Sequence, residues 1–314
     1  MYTFDPDRLA KLDALRADGV NPYPTVPAPT LSAVAAGRLA EGRDDLAVLG
    51  QDFVFGGRLM FKNDMGKAGF GRVLDRTGIL QVYVKKDAVG EGPFSVWKKL
   101  DLGDMVVVKG GLMRTRTGEL TLAATEIHLA AKCIRSMPDK FHGMDDPELK
   151  QRQRYVDLFV NEETRRTFVR RSGIIRYIRD FFEERGFLEV ETPMMQPIPG
   201  GATARPFVTH HNSLDMELYL RVAPELFLKR LIVGGLERVF EINRNFRNEG
   251  IDSTHNPEFT MLEFYWAYAQ WPELVKLTTE LLQGLVRDVC GSTVVEYQGK
   301  IIDFGRFEQV RYDE

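Results

Sequence analysis

Hydrophobic periodicity changes near residue 140, and this change limits the fold more than any other feature of the sequence. From about residue 52 to residue 130, apolar and polar residues alternate in short segments separated by glycine, a pattern typical of β-strands. After residue 150 the apolar residues recur every three or four positions, which predicts amphipathic helices. A chain of 314 residues has room for about two domains of the usual size. We therefore expect an α+β multidomain protein, with a β-domain first and a mixed domain second.

Five strands are predicted in the first region, with one short helix, PFSVWKKL, between the third and the fourth. The strand segments are FVFGGRLMFK, FGRVLD, ILQVYVKK, DMVVVKGGLMR and ELTLAATEIHLAAK. This order of strands and helix is that of an OB-fold β-barrel, a fold that binds oligonucleotides. Ahead of the barrel, Leu9, Leu12 and Leu15 predict a helix within residues 5–19, and the Pro-rich passage that follows ends it.

Three helices and a strand pair are predicted after residue 150. The first helix extends over about residues 162–185, with Asn161 available as its N-cap and Gly186 as its stop. The segment FLEVETP follows as a strand that Pro193 ends, and a loop with two glycines comes after it. The remaining elements are the second helix PELFLKRLIVGG, a pair of strands around residues 239–249 and 258–268, and a third helix at residues 272–290.

The composition excludes several classes of protein. With 44% hydrophobic and 28% charged residues, the chain is neither disordered nor fibrous. No stretch approaches the roughly 18 consecutive apolar residues of a membrane span, and the opening residues do not resemble a secretory signal, so we expect a soluble, cytoplasmic protein. Cys133 and Cys290 lie far apart in the sequence, which supports neither a disulfide framework nor a zinc site. A formal charge of -3 argues against indiscriminate binding to nucleic acid but leaves room for a local basic surface.

One face of the predicted strand pair carries most of its polar residues. A period of two groups five polar side chains of the first strand: Glu241, Asn243, Asn245, Arg247 and Glu249. The same period groups four residues of the second strand: Phe259, Met261, Glu263 and Tyr265. If these two faces coincide, the strand pair is the floor of a site with an arginine, carboxylates and aromatic rings. The alternative is a solvated sheet face, but Phe259 and the long polar loop GIDSTHNP, with His255 near its end, favour a site.

These segments resemble a known family. The stretch FRNEGIDSTHNPEFTMLEFY is similar to motif 2 of class II aminoacyl-tRNA synthetases, and its HNPEFTM core resembles the lysyl-tRNA synthetase version. The segment GFLEVETPMMQPIPGGATARPF resembles motif 1, and KFHG at residues 140–143 and RVAPELFLKRL match the same family. Aspartyl and asparaginyl relatives share the barrel, but the HNPEF loop and the Glu263 and Tyr265 pair favour lysine. The resemblance implies an N-terminal helix and linker at residues 1–50, an OB-fold anticodon-binding domain at residues 51–135, and an incomplete class II antiparallel-sheet catalytic domain at residues 136–314.

The resemblance also implies the reaction and the roles of motif 2 residues. The expected activity is ATP-dependent attachment of lysine to tRNA(Lys) through a lysyl adenylate, with Mg²⁺ as the cofactor. Arg247 is expected to bridge the α-phosphate and the lysine carboxylate, a task suited to a planar bidentate donor, and Glu249 to meet the adenine amino group. Both are expected catalytic residues. His255 is expected to contact the ATP phosphates, and Phe259 to stack on adenine. The alternatives are an ion pair between Arg247 and Glu249, and a core role for Phe259.

A lysine site is implied at the start of the second helix. Glu225 and the backbone of Gly201 are expected to bind the α-ammonium group, although an acid in a first helical turn is also explained by the helix dipole. Arg247 is expected to meet the carboxylate. Glu263 and Tyr265 fit the pocket of the side-chain ammonium, because a buried cation needs carboxylates and hydroxyl groups.

An anticodon site is implied on the barrel. Alternation places Phe70 with Arg72, and Gln81 with Tyr83, on faces suited to stacking and reading bases. Together with Arg58 and Glu119, Phe70 and Gln81 resemble the anticodon contacts of the family. An ordinary barrel surface is the alternative.

The sequence departs from the family at its end. Motif 3, the carboxylates that hold magnesium, and a further lysine-binding carboxylate do not occur before Glu314, so we expect no metal ligand in this chain. We expect the chain to be a fragment of a lysine-tRNA ligase that is inactive alone; a truncated, inactive protein that binds tRNA is the alternative. The motif 1 helix and Pro193 are expected to form a homodimer interface.

Overall fold

The computed structural model describes residues 4–138 and 144–310. The motif KFHG, at residues 140–143, therefore lies outside the described residues. The chain divides into two compact units, residues 1–162 and residues 163–314. No helix in the described ranges is long and apolar enough to cross a membrane.

The first unit is a closed five-stranded barrel with the strand order β1-β2-β3-β5-β4. Its strands are β1 (Phe53–Met65), β2 (Ala68–Leu74), β3 (Ile79–Lys85), β4 (Met105–Arg114) and β5 (Leu120–Ala131). Its helices are α1 (Pro6–Ala17), α2 (Ala33–Ala40), α3 (Lys86–Val89), α4 (Glu91–Lys99), α5 (Pro147–Arg152) and α6 (Arg154–Val160), with a 3-10 turn at Ala47–Leu49. The five predicted strands and the inserted helix are confirmed, and parallel pairing of β3 with β5 closes the barrel.

Burial alternates along β3 and along the first part of β1, which gives each of these strands one face directed into the barrel. Trp97 of α4 fills one part of the interior and donates a hydrogen bond to Asp64, 2.8 Å away. Gly71 makes room for this ring, since a Cβ at that position would lie 2.9 Å from it. The predicted N-terminal helix is confirmed as α1, and its Leu15 is buried in the same core.

A buried ion pair between Lys132 and Asp104 connects the residue that follows β5 to the residue that precedes β4. The Lys132 ammonium lies 2.8 Å from the Asp104 carboxylate and 2.7 Å from that of Asp101. The side chains of Lys132 and Asp104 are fully buried. The pair therefore depends on its partners for the interactions that water would otherwise provide.

The second unit contains a three-stranded sheet in the order β11-β10-β6, a second three-stranded sheet in the order β7-β9-β8, and a hairpin. Its strands are β6 (Leu188–Glu189), β7 (Met195–Gln196), β8 (Val208–His211), β9 (Met216–Leu220), β10 (Arg238–Phe246), β11 (Glu258–Trp266), β12 (Val294–Tyr297) and β13 (Lys300–Asp303). Its helices are α7 (Glu162–Glu183), which begins one residue before the unit, α8 (Glu225–Val233) and α9 (Trp271–Cys290).

The three predicted helices and the central strand pair are confirmed, but the predicted strand FLEVETP is mostly wrong. Only Leu188 and Glu189 pair as a strand, because the chain then leaves the sheet and Thr192 bonds to a side chain of β10 instead. The hairpin β8–β9 was missed, since its turn contains Asp215 in the left-handed region and its residues are mostly exposed. The hairpin β12–β13 was missed for similar reasons: Gln298 in its turn has a φ of +51°, and the residues of both strands are mostly exposed.

An aromatic core fixes the orientation of the central sheet. Phe182 of α7 is fully buried, and its ring centroid lies 5.0 Å from those of Phe187, Phe240 and Phe264. Leu277 of α9 packs into the same cluster. One face of β10 and β11 is therefore committed to α7 and α9.

Candidate functional site

Strands β10 and β11 pair in a register that places both polar rows on one face. Glu241 lies opposite Glu263, Asn243 opposite Met261, and Asn245 opposite Phe259. The apolar residues Phe240, Ile242, Leu262 and Phe264 lie on the other face, against the helices. The two polar faces therefore coincide, as the prediction of a site on this strand pair required.

The polar row is not a solvated surface along its whole length. Glu241 and Asn245 are each only 1% exposed. The Glu241 carboxylate accepts hydrogen bonds from Arg221 Nη1 (2.7 Å), Thr192 N (3.2 Å), Thr192 Oγ1 (2.7 Å) and Asn243 Nδ2 (3.1 Å). A buried carboxylate is tolerated when it is paired and bonded in this way. The solvated-face alternative is therefore wrong for this part of the strand.

Arg221 and Thr192 are two residues of this region that the sequence did not identify. Arg221 is fully buried, and Thr192 is nearly so. The guanidinium of Arg221 meets Glu241, which is 20 residues away in the sequence. The available signal was an arginine inside the apolar stretch YLRVAP, where a charge needs a partner.

Glu263 lies beside Tyr265 and is influenced by the charges of two further carboxylates, Glu225 and Glu241. The Tyr265 hydroxyl donates a hydrogen bond to Glu263, 2.8 Å away. Burial raises the pKa of Glu263; the Tyr265 hydrogen bond lowers that pKa, and the charges of Glu225 and Glu241 raise it again. Burial also raises the pKa of Tyr265, and the hydrogen bond to Glu263 adds to this. This part of the site has the charge and the acceptors to bind a cation.

Gly201 and Glu225 are neighbours, as the sequence prediction requires. Gly201 has a φ of +87°, and a Cβ there would lie 2.7 Å from the Cβ of Glu225 and 3.1 Å from that of Ala223. The loop backbone therefore lies directly against the start of α8. Glu225 is the first residue of that helix, and its carboxylate pairs with Lys229 at 2.6 Å.

Arg247 and Phe259 form the other end of the face. The Arg247 guanidinium carbon lies 5.1 Å from the Phe259 ring centroid. Arg247 Nε is buried and has no hydrogen-bond partner among the described residues. Among the described residues, Arg247 forms no ion pair with Glu249. The Glu249 carboxylate instead accepts a hydrogen bond from the backbone amide of Arg205 at 3.3 Å. Arg247 thus has an unsatisfied hydrogen-bond donor at Nε.

The loop between the strands is organised by Asp252. Its carboxylate accepts bonds from the amides of Thr254 (2.7 Å) and His255 (2.8 Å) and contacts the His255 ring nitrogen Nδ1. The Thr254 amide, followed by the His255 ring, holds the pKa of Asp252 well below its usual range. The imidazole of His255 is exposed.

The predicted anticodon residues lie mostly together on the barrel. The rings of Phe70 and Tyr83 are 4.8 Å apart, and Gln81 donates a bond to Thr121 (2.9 Å). Register places Arg72 beside Gln81, and Arg72 pairs with Glu119 at 3.3 Å. Phe61, which the sequence did not single out, lies beneath Arg72, with the guanidinium 5.8 Å from its ring centroid.

Arg58 differs from the other predicted anticodon residues because protein groups occupy its guanidinium. The Arg58 side chain donates a bond to the Gly103 carbonyl at 2.7 Å and lies 4.4 Å from the Phe159 ring centroid.

Residues 4–138 and 144–310 contain no group of three or more His, Cys, Asp or Glu side chains that could hold a metal ion.

Comparisons with known proteins match both units. A family model described as tRNA synthetases class II (D, K and N) matches residues 146–314, and a model described as OB-fold nucleic acid binding domain matches residues 53–130. A lysine-tRNA ligase of Chromobacterium violaceum is 57% identical over 250 residues, which are 80% of this chain and 50% of that protein. The lysine-tRNA ligase of Dichelobacter nodosus is 52% identical over 97% of this chain and 61% of that protein, and that of Magnetococcus marinus is 53% identical over 95% and 60%. The chain spans about half to three fifths of the length of these curated relatives.

We predict that Glu263→Gln stabilises the ligand-free chain at neutral pH. When folding raises the pKa of a carboxyl group, the free energy of unfolding decreases as the pH rises through the folded-state pKa, because the folded state disfavours the ionised form of that group. Calorimetry should show a higher Tm for the variant at about pH 7 and no difference at about pH 4, where Glu263 is protonated. The control is Glu217→Gln, which removes the carboxylate of the exposed pair formed by Glu217 and Tyr219 and should leave the Tm unchanged at both pH values. A lower Tm for Glu263→Gln at about pH 7 would contradict this account of the site.

Proposed function

This chain belongs to the family of class II tRNA synthetases (D, K and N), and from that membership we propose that it supplies the anticodon-binding barrel and part of the catalytic domain of a lysine-tRNA ligase. The proposed domains are the N-terminal helix and linker at residues 1–50, the barrel at residues 51–135 and the catalytic part at residues 136–314. The substrates would be L-lysine, ATP and tRNA(Lys). Because translation uses the aminoacylated tRNA, the proposed location is the cytoplasm.

The observation that carries the proposal is the common face of β10 and β11. This face has a cationic group and an aromatic ring at one end, Arg247 and Phe259, and a carboxylate with a hydroxyl at the other, Glu263 and Tyr265. ATP needs the first combination, and a side-chain ammonium needs the second. Lysine and ATP lying along the face would place the amino acid carboxylate near the α-phosphate.

The residues of this chain would act mainly by positioning and neutralising charge. Arg247 would bind the α-phosphate and the lysine carboxylate, Phe259 would stack on adenine, and Glu249 would meet its amino group. His255, presented by Asp252, would contact the phosphates. Mg²⁺ would add further charge neutralisation to ATP, and no residue of this chain is assigned to it.

The lysine would be held at both of its amino groups. The carboxylate of Glu225 and the backbone of Gly201 would bind the α-ammonium, and Glu263 with Tyr265 would bind the side-chain ammonium. The adjacency of Gly201 and Glu225 supports the first of these assignments. The raised pKa of Glu263 supports the second, because a bound cation would stabilise the ionised form that burial, and then the charges of Glu225 and Glu241, disfavour.

Two further partners belong to this proposal. The anticodon of tRNA(Lys) would contact Phe70, Gln81, Glu119 and Arg58 on the barrel, with bases stacked on the aromatic rings. A second copy of the protein would pack on the motif 1 segment, α7 and Pro193, to form a homodimer. The exposed apolar side chain of Val169 on α7 supports this second partner.

The anticodon assignment predicts the effect of Phe70→Ala. Loss of one stacking ring should weaken binding of a tRNA(Lys) anticodon stem-loop by about 1 to 3 kcal/mol, measured by fluorescence anisotropy at fixed salt. Binding should also weaken as salt rises, because phosphate contacts contribute to it. Val48→Ala, an exposed apolar residue outside the barrel strands, is the matched control and should bind as the wild type does. Equal affinity of the wild type for a scrambled loop would refute the assignment.

The adenylation assignment predicts the effect of Arg247→Ala. In a protein that carries this chain together with motif 3, the rate of lysine-dependent exchange of pyrophosphate into ATP should fall by at least about a hundredfold, the scale of losing one preorganised transition-state donor. Arg244→Ala is the control, because Arg244 lies on the same strand but pairs with Glu258, away from the proposed site face. A rate in Arg247→Ala equal to that in the control would show that motif 2 has been wrongly assigned.

A further inference from the structure

A buried ion pair, formed by Arg221 and Glu241, lies beside Glu263 on the polar face of β10 and β11. Arg221 Nη1 and Glu241 Oε1 are 2.7 Å apart, and each side chain is only 1% exposed. Buried pairs of this kind often contribute little to stability, since well-packed apolar residues can replace them at no cost. Stability alone is therefore a weak explanation for two charges at this position.

The pair joins three segments that carry or support site residues. Arg221 directly precedes the segment that leads to Glu225, and its Nε donates to the Arg244 carbonyl of β10 at 2.9 Å. Its Nη1 also donates to the Thr192 carbonyl at 3.2 Å and to the Thr192 hydroxyl at 2.9 Å. The Thr192 amide and hydroxyl donate in turn to Glu241. The loop after β6, the approach to α8 and the middle of β10 are thereby fixed to one another.

The pair also sets the charge beside Glu263. Glu241 and Glu263 are direct cross-strand neighbours on the same face, so an unpaired Glu241 would repel Glu263 at close range. Arg221 neutralises Glu241, and Lys229 pairs with Glu225. Among the described residues Glu263 forms no such ion pair, and it accepts a hydrogen bond from the neutral hydroxyl of Tyr265.

We propose that Arg221 and Glu241 are positioning residues of the amino acid site, which hold Glu263 and Tyr265 in place and leave Glu263, of the three carboxylates, to bind the substrate cation. This rests on the proposed function, because the cation is the lysine side chain. The competing explanation is that the Arg221 and Glu241 ion pair only stabilises the fold.

The two explanations differ for a variant that removes both charges together. Arg221→Met combined with Glu241→Gln avoids an unpaired buried charge, and the glutamine oxygen can still accept a bond from Thr192. The matched control is Lys132→Met combined with Asp104→Asn, which neutralises the buried pair of the barrel; Asp101, the second partner of Lys132, keeps its ion pair with Lys11. Each double variant is made in the 314-residue chain with 3-fluorotyrosine at position 265, and circular dichroism establishes that it is folded.

The first measurement does not require a ligand. The fluorine resonance at position 265 reports the Tyr265 to Glu263 hydrogen bond, and Glu263→Gln gives the reference position for the weakened bond. In the folded Arg221→Met/Glu241→Gln variant the resonance should move toward that reference, whereas the barrel control should leave it in place. A resonance that stays at the wild-type position overturns the proposal.

The second measurement is L-lysine affinity by calorimetry. The double variant should bind L-lysine at least about tenfold more weakly, the scale of coupling between neighbouring charged groups, and the barrel control should bind it as the wild type does. Unchanged affinity in the folded double variant also overturns the proposal. If the wild type binds no L-lysine even in a protein that carries this chain together with motif 3, the proposed function fails at this step, and the fluorine resonance alone decides whether the pair positions Glu263.

A further variant covers failure of the double variant to fold. Thr192→Val removes the hydroxyl that bonds to Glu241 and keeps both charges and the size of the side chain. It should move the fluorine resonance in the same direction by a smaller amount. No movement in Thr192→Val would then count against the proposal.

Discussion

The antiparallel pairing of β10 with β11 is the constraint on which the second unit depends. Because side chains alternate along a strand, one register decides which residues face the helices and which face the site, and a shift of one residue would exchange them. Phe240 and Phe264 fix that register, since both pack against the buried ring of Phe182. The hydrophobic core thus positions the polar face, and the site needs no separate scaffold.

The polar face is electrostatically unfavourable without a ligand. The charges of Glu225 and Glu241 act on Glu263 there, and the structure pairs Glu241 with Arg221 and Glu225 with Lys229. Glu263 keeps a raised pKa because it is partly buried beside the other two. A site that repels its own carboxylates attracts a cation, so the same charges that reduce stability would supply affinity for the lysine side chain. This combination of strain and binding is common at functional sites.

The sequence predicted the parts of this molecule that depend on local pattern. Alternation gave the five barrel strands and the two faces of β10, and helical spacing gave α7, α8 and α9. It could not give contacts between distant residues: the hydrogen-bond network of Thr192, Arg221 and Glu241 joins residues up to 49 positions apart and leaves no periodic signal. Nor could it show that Arg58 is occupied by Gly103 and Phe159, or that the strand after Phe187 ends within two residues. The roles of Arg247, Glu249 and His255 come from family resemblance and remain predictions.

The most direct test of the account is a crystal structure of the chain with a non-hydrolysable lysyl-adenylate analogue, which occupies the amino acid and nucleotide positions together. The account predicts that the purine stacks on Phe259, that the phosphate mimic meets Arg247, and that the side-chain ammonium lies within hydrogen-bond distance of Glu263 and Tyr265. An analogue bound elsewhere, or one whose side-chain ammonium avoids Glu263, would contradict the claim that the common face of β10 and β11 is the lysine and ATP site.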